Sequence, residues 1–133
     1  MVAPAELRLV VVTPETTLLD EVVRSIQFPL FDGQMGVLPG RSPAVGRLGA
    51  GELHFESAGG EKRYFVDGGF VQIKGPVVTL LTNRAFPIEQ IDVTAAQAEY
   101  DAAMAMKPTD DAGFELKQKA IDRARKMIAL KRG

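Results

Sequence analysis

The feature that most narrows the fold of this 133-residue chain is a change of texture near residue 91. Before it, apolar and polar residues alternate in twos. In Gly51–Ser57, Leu53 and Phe55 alternate with Glu52, His54 and Glu56, the pattern of a strand buried on one face. The same reading puts Val22, Ile26 and Phe28 on one face with Arg24. Strands are further expected at 6–12, 16–20, 33–38, 44–48, 61–67, 69–74, 76–82 and 84–90. Thr13-Pro14, Ala58-Gly59-Gly60 and Lys74-Gly75-Pro76 supply turns between them. Many short strands at this spacing point to a β-sandwich or barrel.

From Thr94 onward β-branched residues all but vanish and alanine becomes common. Thr94-Ala95-Ala96-Gln97 fits a capping box and predicts a helix running to about Met106. Lys107-Pro108-Thr109-Asp110-Asp111 is a break whose aspartates suit the start of a second helix, about Ala112 to Leu130. Its apolar positions are Ala120, Ile121, Ala124, Met127 and Ile128; the first helix offers Ala95, Ala98, Ala102, Ala103 and Met106. Two such helices joined by a tight loop form an antiparallel hairpin with an alanine-rich seam. The fold class is therefore mainly β with α, divided into a β-sandwich or barrel over 1–91 and a helical hairpin over 92–133.

Composition removes several chemistries. The absence of cysteine excludes disulfides and thiolate sites. The longest uncharged apolar runs, such as Pro76–Thr82, are too short to span a bilayer, so no membrane insertion is expected. MVAPAELRLVVV reads as a first strand and not as a leader. His54, the only histidine, alternates outward between two glutamates, as an exposed strand residue does. Ser42 and Asp67 can be grouped with it on paper, but no nucleophile-elbow sequence supports a triad. Neither a GxxxxGK[ST] loop nor a GxGxxG opening a helix is present. Nucleic-acid binding is disfavoured by the acidic β part, whose aromatics are not interleaved with basic residues. Charge is uneven: residues 114–133 carry a balance of +5 and the rest −6, so the second helix is suited to an acidic partner. Asp67-Gly68-Gly69 is either a type I′ turn or a kink where another backbone passes close.

One stretch resists ordinary loop chemistry. FDGQMGVLPGRSPAVGRL, Phe31 to Leu48, holds four glycines and two prolines among many apolar residues. It must bend sharply and still be partly buried. The run FPLFDGQMGVLPGRSP, followed by LGAGEL, YFVDGGFVQI and VVTLLTNRA, resembles the epsilon-subunit family of bacterial F-type ATP synthases, the counterpart of the mitochondrial delta subunit. The likeness covers nearly the whole chain, in order and with the right spacings.

That resemblance implies a ten-stranded β-sandwich followed by a two-helix hairpin. It implies a non-catalytic rotor subunit on the cytoplasmic face of the bacterial inner membrane. Its partners would be the gamma subunit, the membrane c-ring and, transiently, the alpha and beta subunits of the catalytic head. Asp32, Gln34 and Arg41 would face the ring, with Val37 and Leu38 in the core. Arg41 stands where many members carry His, which removes any titration at that position near neutrality. A second, inhibitory mode would extend the hairpin and bring Arg123, Arg125, Lys126, Lys131 and Arg132 to acidic segments of the head. No cofactor or metal is implied. Some members bind ATP through Ile/Leu-Asp-x-x-Arg-Ala in the first helix; here Ile121-Asp122-Arg123-Ala124 falls in the second, and the first lacks arginine. The rival readings are a free-standing β-sandwich ligand-binding module, such as a nucleotide sensor, and a small hydrolase using His54.

Overall fold

In the computed structural model, which describes residues 6–40 and 42–132, seven strands take the place of the ten expected. They are β1 (Leu7–Val12), β2 (Thr17–Leu30), β3 (Gly33–Val37), β4 (Ala44–Ser57), β5 (Gly60–Lys74), β6 (Val77–Leu81) and β7 (Ala85–Pro87). The count falls because three expected pairs run on as single strands of 14, 14 and 15 residues. Glycines at Gly49 and Gly68 looked like strand ends, but they sit inside continuous strands, where a glycine accommodates a bend. Each long strand changes partner along its length. β2 pairs with β1 through Thr17–Val23 and with β3 through Ile26–Leu30, while β5 pairs with β7 at Tyr64–Val66 and with β6 at Phe70–Lys74. The expected strand at 84–90 stops at Pro87 and gives way to a 3-10 turn, Ile88–Gln90.

The ladders close on themselves: β1 pairs β2, β2 pairs β4, β4 pairs β5, β5 pairs β6, and β6 returns to β1. Only the β1–β6 contact in this ring is parallel. β3 hangs on β2 and β7 on β5. Alternation fills the interior with Leu7, Leu9 and Val11 from β1, Leu53 and Phe55 from β4, and Val71 and Ile73 from β5. Each such side chain contributes about 1.5–3 kcal/mol on burial. β2 departs from the simple reading. Its ladder to β4 slips between Val23 and Ser25, so Val23 turns inward and Val22 outward, and Val22 no longer shares a face with the buried Ile26.

Asp67-Gly68-Gly69 is the kink and not the turn. Gly69 has φ +109°, and a Cβ there would run into the carbonyl oxygen of Leu81 and lie within 2.9 Å of Thr82 Cα. The corner after β6 is stitched to this spot. The Asp67 amide donates to Arg84 O (3.1 Å) and Thr82 Oγ1 (3.2 Å), the buried Thr82 hydroxyl donates to Arg84 O, and Asn83 Nδ2 donates to Asp67 O.

The chain divides into two compact units, 1–87 and 88–133. The second holds the 3-10 turn and two helices, α1 (Val93–Ala105) and α2 (Asp111–Arg132). The N-cap of α1 is Asp92, whose Oδ1 accepts from Ala95 N at 3.1 Å. Thr94 lies within the first turn, and Gln97 bonds Asp101 four residues on, so the expected capping box is replaced by a carboxylate two residues earlier. Asp110 caps α2 by accepting from Gly113 N at 2.8 Å. α2 buries Ile121, Ala124 and Met127, as its spacing predicts. On α1 the buried alanines are Ala96 and Ala103, whereas Ala95, Ala98, Ala102 and Met106 are exposed. Alanines at so many positions leave no contrast from which to read a face.

Candidate functional site

The ring-facing candidates lie where β2 folds back into β3. Leu30 pairs with Gly33 across the two-residue turn Phe31-Asp32. The Phe31 amide donates to Arg47 O at 3.0 Å, which ties the turn to β4. Behind it, β4 leaves no spare room: a Cβ on Gly49 would lie 2.8 Å from Leu30 O. Asp32 and Gln34 are both exposed and two residues apart, Gln34 opposite Pro29. Pro29 lacks an amide proton and sits where the β2–β4 ladder is interrupted, between Gln27 and Leu30, so no donor is missed. The structure thus brings Asp32 and Gln34 together on a stiff hairpin tip. Arg41 lies outside the described residues. Val37 is buried as expected, but Leu38 is 65% exposed. It lies one residue past β3, so alternation turns it away from Val37.

A further surface holds residues that no expectation singled out. On β4, β5 and β6, Arg47 pairs with Phe70, and Phe70 pairs with Leu81. Val45, Phe70 and Leu81 all point outward, at 76%, 57% and 50% exposure. They form an apolar strip on the solvent side of one sheet region. Phe70 stands beside Val71, which faces the interior, so the sequence shows apolar residues on both sides of β5 and gives no sign of which side is open.

The five basic candidates on α2 are not one stripe. Arg125 and Arg132 are seven residues apart, hence within about 20° of one face. Lys126 is exposed beside them. Arg123 is half-buried, and Lys131 points elsewhere, with its Nζ donating to Glu89 O at 2.6 Å. Lys131 and Arg132 at the end of α2, with Asp111 at its start, match the helix dipole.

His54 and Asp67 do not meet in a catalytic arrangement. His54 Nε2 is 3.6 Å from Glu61, while Asp67 is 3.6 Å from Arg84. His54 lies beside a set of cross-strand ion pairs on the outer faces. Arg63 makes two 2.9 Å bonds to Glu52 and holds its carboxyl below the usual carboxylate range. Lys62 bonds Glu21 at 3.3 Å. Arg8 bonds both oxygens of Asp20, which lowers that carboxyl as well. Such pairs belong to a solvated face and supply no nucleophile or base.

Comparison with known proteins follows the same division. Residues 6–88 match the family model described as ATP synthase, Delta/Epsilon chain, beta-sandwich domain. An ATP synthase epsilon chain of Rhodopirellula baltica is 41% identical over 126 residues, 95% of this chain and 98% of that protein. The epsilon chain of Propionigenium modestum, named as sodium ion specific, is 34% identical over 90% of this chain and 89% of its own length. Among solved structures, a chain of the Euglena gracilis mitochondrial ATP synthase assembly of OSCP, F1 and c-ring superposes with a TM-score of 0.82. It is 29% identical, and the match covers 95% of this chain and 81% of that one. A chain of the Tetrahymena thermophila mitochondrial ATP synthase central stalk and c-ring has the same fold, with a TM-score of 0.73 at 14% identity over 94% and 96% of the two chains.

Proposed function

This chain belongs to the ATP synthase delta/epsilon family, and from that membership we propose that it is the non-catalytic epsilon subunit of an F-type central stalk. The observation that carries this is near end-to-end identity of 41% with a named epsilon chain. The unit 1–87 joins the gamma subunit to the membrane c-ring, so that ring rotation turns the stalk as one body. Asp32 and Gln34 on the β2–β3 tip, with Arg41, meet the ring. A tip held by the Phe31–Arg47 bond and by the tight passage at Gly49 is suited to carrying torque. The apolar face of Val45, Phe70 and Leu81 is suited to gamma, because a stable interface needs an apolar centre.

The helical unit is regulatory in this reading. Its hairpin opens and lays Arg123, Arg125, Lys126, Lys131 and Arg132 of α2 against acidic segments of the catalytic head, slowing ATP hydrolysis. The alanine seam supports this, since each buried methyl contributes only about 1 kcal/mol and a switch needs two states within a few kcal/mol. The subunit works on the cytoplasmic face of the bacterial inner membrane, as part of the F1 sector, and takes no cofactor. The test is co-elution with the gamma subunit of the same genome on size exclusion. A one-to-one complex supports the assignment; folded gamma eluting apart from this chain refutes it. Removal of residues 92–133 raises ATP hydrolysis by the assembled complex if the hairpin is inhibitory. Hydrolysis unchanged at every nucleotide level tested refutes that half alone.

A further inference from the structure

The hairpin poses a structural problem at each end, and the same kind of group answers both. α1 has no glycine at its C-terminus. Its cap, Met106, is extended (φ −63°, ψ 139°) and bonds back only to Ala103 O, so carbonyls of the last turn need other partners. Lys117, in the first half of α2, reaches across with Nζ donating to Met106 O at 3.0 Å and Met104 O at 3.3 Å. At the opposite end Lys131 Nζ donates to Glu89 O at 2.6 Å, in the 3-10 turn that precedes α1. Two ammonium groups on one helix therefore grip the backbone before and after the other. Between them Ala96 and Ala103 of α1 meet a seam to which α2 contributes Ile121, Ala124 and Met127, so α1 itself buries little apolar area. Charge-assisted bonds to fixed carbonyls are about twice as strong as neutral ones. They add to the apolar seam in holding the hairpin shut.

We propose that Lys117 and Lys131 form a two-point clasp that sets how often the hairpin opens. Lys131 has two alternative ligands: the Glu89 carbonyl in the closed hairpin and an acidic surface in the open one. The second ligand rests on the regulatory reading above; the clasp itself does not. Because all three acceptors in the hairpin are backbone carbonyls, the clasp depends only on the positive charge and reach of the lysines. It does not depend on the protonation of any partner.

The test is native-state hydrogen exchange on the full chain carrying Lys117→Met, Lys131→Met, or Lys119→Met as an exposed control. Methionine keeps the apolar stem and removes the ammonium. Lys117→Met should speed exchange of the Met106 amide by about fivefold to tenfold, and Lys131→Met that of the Ile91 amide, which bonds Ile88 O. Lys131→Arg, which keeps a cation in reach, should restore protection. Exchange within about twofold of the control at both sites overturns the clasp. ATP hydrolysis by the assembled complex is read in parallel. Faster exchange with unchanged hydrolysis upholds the clasp and removes the regulatory reading.

Discussion

Replacing Gly69 by alanine tests whether the closed ring of strands depends on one close approach of two backbones. The neighbouring Gly68 is its control. Both glycines have positive φ, +72° at Gly68 and +109° at Gly69. At Gly68 a new Cβ meets only Asn83 Nδ2, at 3.6 Å, an ordinary contact. Gly68→Ala should therefore cost only left-handed strain, about 1–2 kcal/mol. At Gly69 the Cβ would collide with the Leu81 carbonyl and approach Thr82 Cα to 2.9 Å, and both are main chain that cannot rotate away. The strain there is about 1–3 kcal/mol. Prising β5 from β6 adds overpacking of about 1–3 kcal/mol and about 1 kcal/mol for a weakened ladder bond. The total is about 3–7 kcal/mol, a large part of the roughly 5–15 kcal/mol that holds a domain together. Urea unfolding followed by far-ultraviolet circular dichroism measures both. With a slope near 2 kcal/mol/M, the midpoint should fall by about 1.5–3.5 M for Gly69→Ala and about 0.5–1 M for Gly68→Ala. Equal shifts would refute the reasoning, because they would mean that backbone torsion and not the Leu81 contact decides the cost.

Acid should weaken the sandwich through Glu52, whose carboxyl the Arg63 hydrogen bonds hold low. A depressed folded pKa gives stability that is complete above the unfolded value, about 4.3, and is lost as pH falls through the folded one. Glu52→Gln should therefore lower the urea midpoint at pH 7 and flatten its fall below pH 4.5; an unchanged pH slope counts against the pair. Asp110→Ala removes the acceptor for Gly113 N and should cost α2 about 1 kcal/mol, read as lost helicity at moderate urea; an Asp110→Ser variant recovers most of it. Phe70→Asp puts a charge on the exposed apolar face and should weaken co-elution with gamma by about tenfold or more while leaving the unfolding midpoint within about 0.5 M. Retained co-elution would move the gamma contact elsewhere.

What the sequence made legible was what side-chain contrast can encode. Leu53 and Phe55 stand between three polar residues, so their inward direction could be read at once. Ile121, Ala124 and Met127 stand among lysines and arginines, so the buried line of α2 could be read too. Legibility failed where geometry and not contrast decides. The slip between Val23 and Ser25 reverses a face without changing any residue's character. Gly49 and Gly68 signal a bend, but glycine alone does not say whether the strand ends there or continues. Leu38 is as apolar as Val37, and only the end of β3 separates their fates. At the candidate site, the residues said only that the stretch 31–48 must bend, and the resemblance singled out Asp32 and Gln34. The apolar face around Phe70 was hidden because a strand with apolar residues on both sides looks like a buried strand.

The parallel contact between β1 and β6 has a consequence for how the chain comes to be folded. All other neighbours in the ring are antiparallel and close in sequence, with only β3 intervening between β2 and β4, so they can pair while the chain is being made. Leu9 cannot meet Val78 until nearly all of the sandwich has been synthesised. The first strand is thus a latch fitted at the start and thrown at the end, and until then β1 and β6 both carry open edges. A long-range closure of this kind is slow compared with local pairing. The interval before it closes is when this chain most needs protection from pairing with another copy of itself.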